Sequence, residues 1–118
     1  MTANEYQREA LKTESKTWVT EGDDENALRL IQGLMGLCGE SGEAIDILKK
    51  TIFQGHELDR EHLVRELGDV AWYLALSADA LGYSLEEILK ENLKKLARRY
   101  PDGRFDAEKS MNRPREDV

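Results

Sequence analysis

At 118 residues, 40% hydrophobic and 35% charged, the chain suits one well-solvated globular domain with a single core. Its 17 basic residues against 24 acidic ones give a net charge of −7, which argues against a binder of nucleic acid as a polymer. No apolar run nears the roughly 20 residues that span a bilayer, so no membrane partner is expected.

Both prolines, Pro101 and Pro114, lie late in the chain, and the long proline-free interior favours an all-α fold. The first helix is read over Ala3–Trp18, amphipathic through Tyr6, Ala10, Leu11 and Trp18. Its polar start, MTANEYQREALK, lacks the apolar stretch of a secretory leader. After the acidic break TEGDDEN, Asp24 or Asn26 is placed to cap a second helix over Glu25–Phe53. QGHELD reads as a turn, and Asp59 caps a third helix over Arg60–Leu81, ended by Gly82. SLEE supplies a capping box, Ser84 with Glu87, for a fourth helix that runs to Tyr100 and stops at Pro101. The single domain of residues 1–118 thus divides into a four-helix bundle over about 1–100 and a polar tail, 101–118, with an isolated Phe105.

The second and third helices are apolar most of the way round. Leu30, Ile31, Leu34, Met35, Leu37, Cys38, Ala44, Ile45, Ile47 and Leu48 cover well over half of one; Leu63, Val64, Leu67, Val70, Ala71, Leu74 and Ala78 do the same on the other. Such helices are buried on most sides, and four helices offer too few neighbours, so a core shared across a homo-oligomer is expected. The single cysteine, Cys38, excludes an intrachain disulfide, fits a reducing compartment such as the cytoplasm, and reads as a buried structural thiol.

Those two helices also carry charge. In GLMGLCGESGEA, Glu40 and Glu43 stand three residues apart on one helical face, and ELGD repeats the arrangement with Glu66 and Asp69. Four carboxylates brought together without a counter-charge are costly when partly buried. A hard divalent cation with oxygen ligands would resolve that, and Mg²⁺ fits best because it shares its shell among carboxylates, water and phosphates. His56 and His62 are not spaced as a ligand pair and Cys38 stands alone, so zinc fits poorly. Of the glycines at 33, 36, 39 and 42, Gly33 and Gly36 fall on the Glu40 side of the wheel, where they would leave a ligand cavity. Gly39 and Gly42 point elsewhere and would permit close helix–helix approach.

GESGEAIDILKK, ELGDVAWYLA and NLKKLARRYPDGRF together resemble the MazG-like nucleoside triphosphate pyrophosphohydrolases, from about Tyr6 to the SMNR near the end. The family's E-x-x-E, spacer and E-x-x-D are matched by Glu40, Glu43, Glu66 and Asp69, with 22 residues between the pairs. The resemblance implies a helical bundle that dimerises or forms tetramers, with Mg²⁺ (or Mn²⁺ in its place) held by all four acids. It implies conversion of an NTP or dNTP to its monophosphate and pyrophosphate through a water attacking the α-phosphorus. Glu40 or Glu43 would orient or deprotonate that water. The family's Asn-x-x-Lys pattern points to Asn92 and Lys95 as substrate contacts, with Arg99 or Arg98 as a further one. Asn92 lies in an apolar stripe of Leu85, Ile88, Leu89 and Leu96, where a buried amide would need partners. Lys50, seven residues beyond Glu43, is a weaker phosphate candidate. Among the aromatic residues, Trp18, Trp72 and Phe53 suit the core, and Tyr73, on the Glu66/Asp69 face, is favoured for stacking on a base; His62 lies near that face. The expected role is house-cleaning of the nucleotide pool. The alternatives are a phosphoribosyl-ATP pyrophosphohydrolase and, in another class, a non-catalytic helical partner-binding module.

Overall fold

The computed structural model describes residues 1–15, 17 and 24–113. These form five α-helices: α1 Ala3–Leu11, α2 Glu25–Gln54, α3 Arg60–Ala80, α4 Leu85–Arg99 and α5 Ala107–Met111. Asp24 caps α2 by accepting from Ala27 N at 3.0 Å, and Asp59 caps α3 by accepting from His62 N at 3.0 Å. Gly82, at φ 81°, closes α3: its N–H donates to Asp79 O and that of Tyr83 to Ala78 O, both at 2.9 Å.

Two segments depart from the reading above. The first helix ends at Leu11, where Thr13 Oγ1 turns back to donate to Ala10 O at 2.7 Å, competing with the backbone ladder. Trp18 lies outside the described residues. The polar tail, placed beyond the four expected helices, contains a fifth, α5, capped by Asp106 accepting from Lys109 N at 3.0 Å.

The chain divides into two compact units, Met1–Leu85 and Glu86–Val118. In the first, α2 and α3 run antiparallel, Gly33 facing Ser77 and Gly36 facing Tyr73. α1 is tied across α3 by polar side chains. Gln7, buried, donates to Ala75 O (3.1 Å) and Tyr83 O (3.3 Å) and accepts from Leu85 N (2.9 Å). Trp72 Nε1 donates to Ala10 O and Thr13 Oγ1 at 3.0 and 2.9 Å. Arg29 of α2 is buried; its Nε donates to Glu14 and its Nη2 to Asp79, each at 2.6 Å.

The apolar core within one chain is small. Ala75, Leu76, Ala78 and Leu85 are buried, and Leu76 is the one large side chain fully so among the described residues. Burying one leucine contributes only about 1.5–3 kcal/mol. The wide apolar arcs of α2 and α3 are exposed among the described residues: Met35 is 69% exposed, Ile45 62%, Val64 67% and Leu67 56%. Cys38, expected inside, is exposed on the same arc. No helix among the described residues is long and apolar enough to cross a membrane.

In the second unit, α4 opens with Glu86 and Glu87 and closes with Arg98 and Arg99, each charge complementing its end of the helix dipole. Beyond it the Tyr100 and Phe105 rings meet with centroids 5.7 Å apart, so Phe105 is less isolated than it reads.

Candidate metal centre

The E-x-x-E of α2 and the ELGD of α3 face each other because the helices are antiparallel and packed closely through Gly33 and Gly36. One carboxylate oxygen from each of Glu40, Glu43 and Glu66 lies within 4.8 Å of the other two. Asp69, with a shorter side chain, is outside that trio but near enough to act on it. The Glu40 carboxyl is held above the ordinary glutamate range, by desolvation first, then by the neighbouring Glu66 carboxyl and the charges of Glu43 and Asp69. Tyr6 of α1 is pushed up as well, by burial and then by Asp69.

Glu66 is the deepest of the acids, only 7% exposed. Its Oε1 pairs with His62 Nε2 at 2.8 Å, while its Oε2 is buried without a hydrogen-bond partner. A carboxylate oxygen left that way costs about 1–3 kcal/mol or more. The donor set here is all carboxylate oxygen, as hard cations prefer. A divalent cation fits both observations.

Beside the acids is a cavity of about 450 Å³ lined by Gly39, Gly42, Glu43, Asp46, Ile47, Lys50, His62 and Glu66. Here the glycines exchange the roles expected of them. A Cβ at Gly33 would collide with Ser77 and one at Gly36 with the Tyr73 ring, so these two permit the close helix approach. Gly39 and Gly42 meet nothing, and they line the cavity.

Lys50 reaches the same cavity, with Nζ 2.9 Å from Asp46 Oδ2. Asp46 continues the Glu40–Glu43 spacing by another three residues, a signal the sequence reading passed over. Its carboxyl is lowered to about 2 by hydrogen bonds from Lys49 and Lys50. Tyr73 is half-buried, with its ring against Gly36 and edge-on to Trp72 at a centroid distance of 5.1 Å. Trp72 is committed to α1 through its indole N–H. Asn92, Lys95 and Arg99 belong to α4, in the second unit; Asn92 is exposed rather than buried, and Lys95 and Arg99 are half-buried.

An all-α pair of antiparallel helices converging three carboxylates on one point defines a helical, acidic-cluster protein suited to a hard cation. The chain belongs to the MazG nucleotide pyrophosphohydrolase family, whose domain matches residues 29–104, a span holding all four acids as well as Asn92 and Lys95. It is 36% identical over 86 residues to the Gene 37 protein of Mycobacterium phage L5, covering 70% of this chain and 75% of that protein. No solved structure matches it significantly.

Proposed function

We propose that the chain is a cytoplasmic, Mg²⁺-dependent pyrophosphohydrolase that converts an NTP or dNTP to its monophosphate and pyrophosphate, removing unwanted nucleotides from the pool. The observation that carries this reading is the trio Glu40, Glu43 and Glu66, with a buried, unpartnered oxygen on Glu66, inside a MazG domain.

In this reading Glu40, Glu43, Glu66 and Asp69 hold the cation, and Mn²⁺ substitutes for Mg²⁺. Bound cation supplies positive charge against the phosphate oxygens and favours ionisation of water. Whichever of Glu40 and Glu43 the cation engages less orients the attacking water and takes its proton. Lys50 offers an ammonium at the cavity wall for a phosphate oxygen, exchanging its contact with Asp46. Asn92, Lys95 and Arg99 contribute further substrate contacts, and Tyr73 is the aromatic residue offered for stacking on the base. The uncovered arcs of α2 and α3 are closed by other copies of the chain, in a homodimer or homotetramer.

The test is pyrophosphate release across a panel of NTPs and dNTPs, with Mg²⁺ and with EDTA. Metal-dependent production of monophosphate and pyrophosphate is expected, and Glu43→Gln or Asp69→Asn should abolish it while far-UV circular dichroism is unchanged. Full Mg²⁺-dependent activity in both variants would remove the acids from the chemistry. Silence of the folded wild-type protein on every nucleotide, with turnover of phosphoribosyl-ATP, would move the substrate assignment there.

A further inference from the structure

We propose that His62 is a positioning residue for the cation site: it fixes the Glu66 carboxylate so that the buried Oε2 is presented to the ion. This rests on the reading of the acids as a cation site and adds a residue outside the four carboxylates.

His62 and Glu66 are four residues apart on α3, so their side chains meet on one face. Nε2 lies 2.8 Å from Oε1. An ionised carboxylate only accepts, so Nε2 carries the proton and donates. The backbone of His62 is itself anchored, because its N–H donates to the capping Asp59 at 3.0 Å. The ring therefore projects from a fixed point at the start of α3 into the cavity it shares with Glu43 and Glu66.

The two oxygens of Glu66 are then unequal. Oε1 is taken by the imidazole, and Oε2 is buried with no partner. A free glutamate side chain loses rotamer entropy when it is ordered, and in Glu66 the histidine has already restricted it. Outer-shell groups of this kind hold a ligand in the orientation the ion requires, and their removal commonly costs about 10–100-fold in metal affinity or activity. His62 does not act as a ligand through Nε2 in this arrangement, since that atom is occupied by Glu66. Its side chain is 46% exposed, so replacing it removes little packing.

The test uses Mn²⁺ alone as probe, without nucleotide, and reads free Mn²⁺ by electron paramagnetic resonance during titration of the full chain. His62→Ala should weaken Mn²⁺ binding by roughly 10–100-fold, with thermal melting in EDTA unchanged. His62→Gln, whose amide can donate to the same oxygen, should recover most of the affinity. Pulsed measurements on wild type should show no directly coordinated nitrogen. Wild-type affinity in His62→Ala would overturn the proposal, as would equal losses in His62→Ala and His62→Gln. Direct nitrogen coupling in wild type would replace it with ligation by His62. Failure of the underlying reading looks different: wild type would not bind Mn²⁺, or Glu66→Gln would bind it as tightly as wild type.

Discussion

Gly36 of α2 lies directly against the ring of Tyr73 on α3, with no room for a Cβ between them. One helical turn earlier, Gly33 meets Ser77, whose backbone N and Cβ would both stand 3.2 Å from an added methyl. These contacts set the separation of the two helices, and hence the distance across which Glu40 and Glu43 face Glu66. Gly33→Ala and Gly36→Ala should each destabilise the protein by about 1–3 kcal/mol, as overpacking does. Gly39→Ala enters open space and should instead stabilise by about 0.5–1 kcal/mol through helix propensity alone. Urea denaturation of the three variants checks the signs. Destabilisation by Gly39→Ala would mean that another copy of the chain fills that space.

The same glycines show what the sequence could and could not disclose. A helical wheel correctly places Gly33 and Gly36 on the carboxylate side of α2, but direction alone does not say what stands opposite. The antiparallel register decides that, by setting Ser77 and Tyr73 there. The approach of Glu40 and Glu43 to Glu66 was legible because i, i+3 spacing in two apolar helices constrains both helices at once. Asp24 and Asp59 were legible as caps because capping is local chemistry. The early end of α1 was not, since it depends on Thr13 bonding back to Ala10 and receiving Trp72 from 59 residues away. The spacing of His62 and Glu66 was visible too, but which oxygen the ring takes, and that the other is buried, required the fold.

Glu40 predicts a pH effect with a definite sign. Its carboxyl is raised in the folded chain, chiefly by desolvation and by Glu66, so between the ordinary value of 4.5 and the raised one the folded state binds more protons than the unfolded state. Stability of the metal-free protein should therefore fall as pH rises through that window, and be highest, for this group, below 4.5. Thermal melts in EDTA across mildly acidic pH should show the trend, and Glu40→Gln should flatten it. Protons and cation compete for the same carboxylate, so Mg²⁺ affinity should weaken as pH drops through the same range. A melting temperature that rises steadily with pH in EDTA, and does so equally in Glu40→Gln, would contradict this account.

Arg29 predicts the largest loss from a single side chain away from the acids. It is 8% exposed and holds both oxygens of Glu14, whose side chain is only 3% exposed, while also reaching Asp79. Arg29→Ala leaves the Glu14 charge buried without this cation, and breaking such a pair costs about 3–5 kcal/mol. Arg29→Met combined with Glu14→Gln should recover part of that, because no buried charge is then stranded. Urea titration of the single and double variants measures the coupling. Equal losses in both would show that packing, rather than charge, is what Arg29 supplies.

The exposed apolar arcs predict association. Within one chain Ile45, Ile52 and Phe53 on α2 are 62%, 66% and 79% exposed, and Val64 and Leu67 on α3 are 67% and 56%. Monomeric proteins seldom leave this much contiguous apolar surface in water. At about 25 cal/mol per Å² of apolar area removed from solvent, covering these side chains adds to what the small intrachain core contributes. Light scattering should therefore give a mass of two or four times 13.5 kDa. Ile45→Asp with Phe53→Asp should shift the mass toward a single chain and lower thermal stability together, since folding and association draw on the same surface. A wild-type protein that scatters as a stable 13.5 kDa species would refute the shared core.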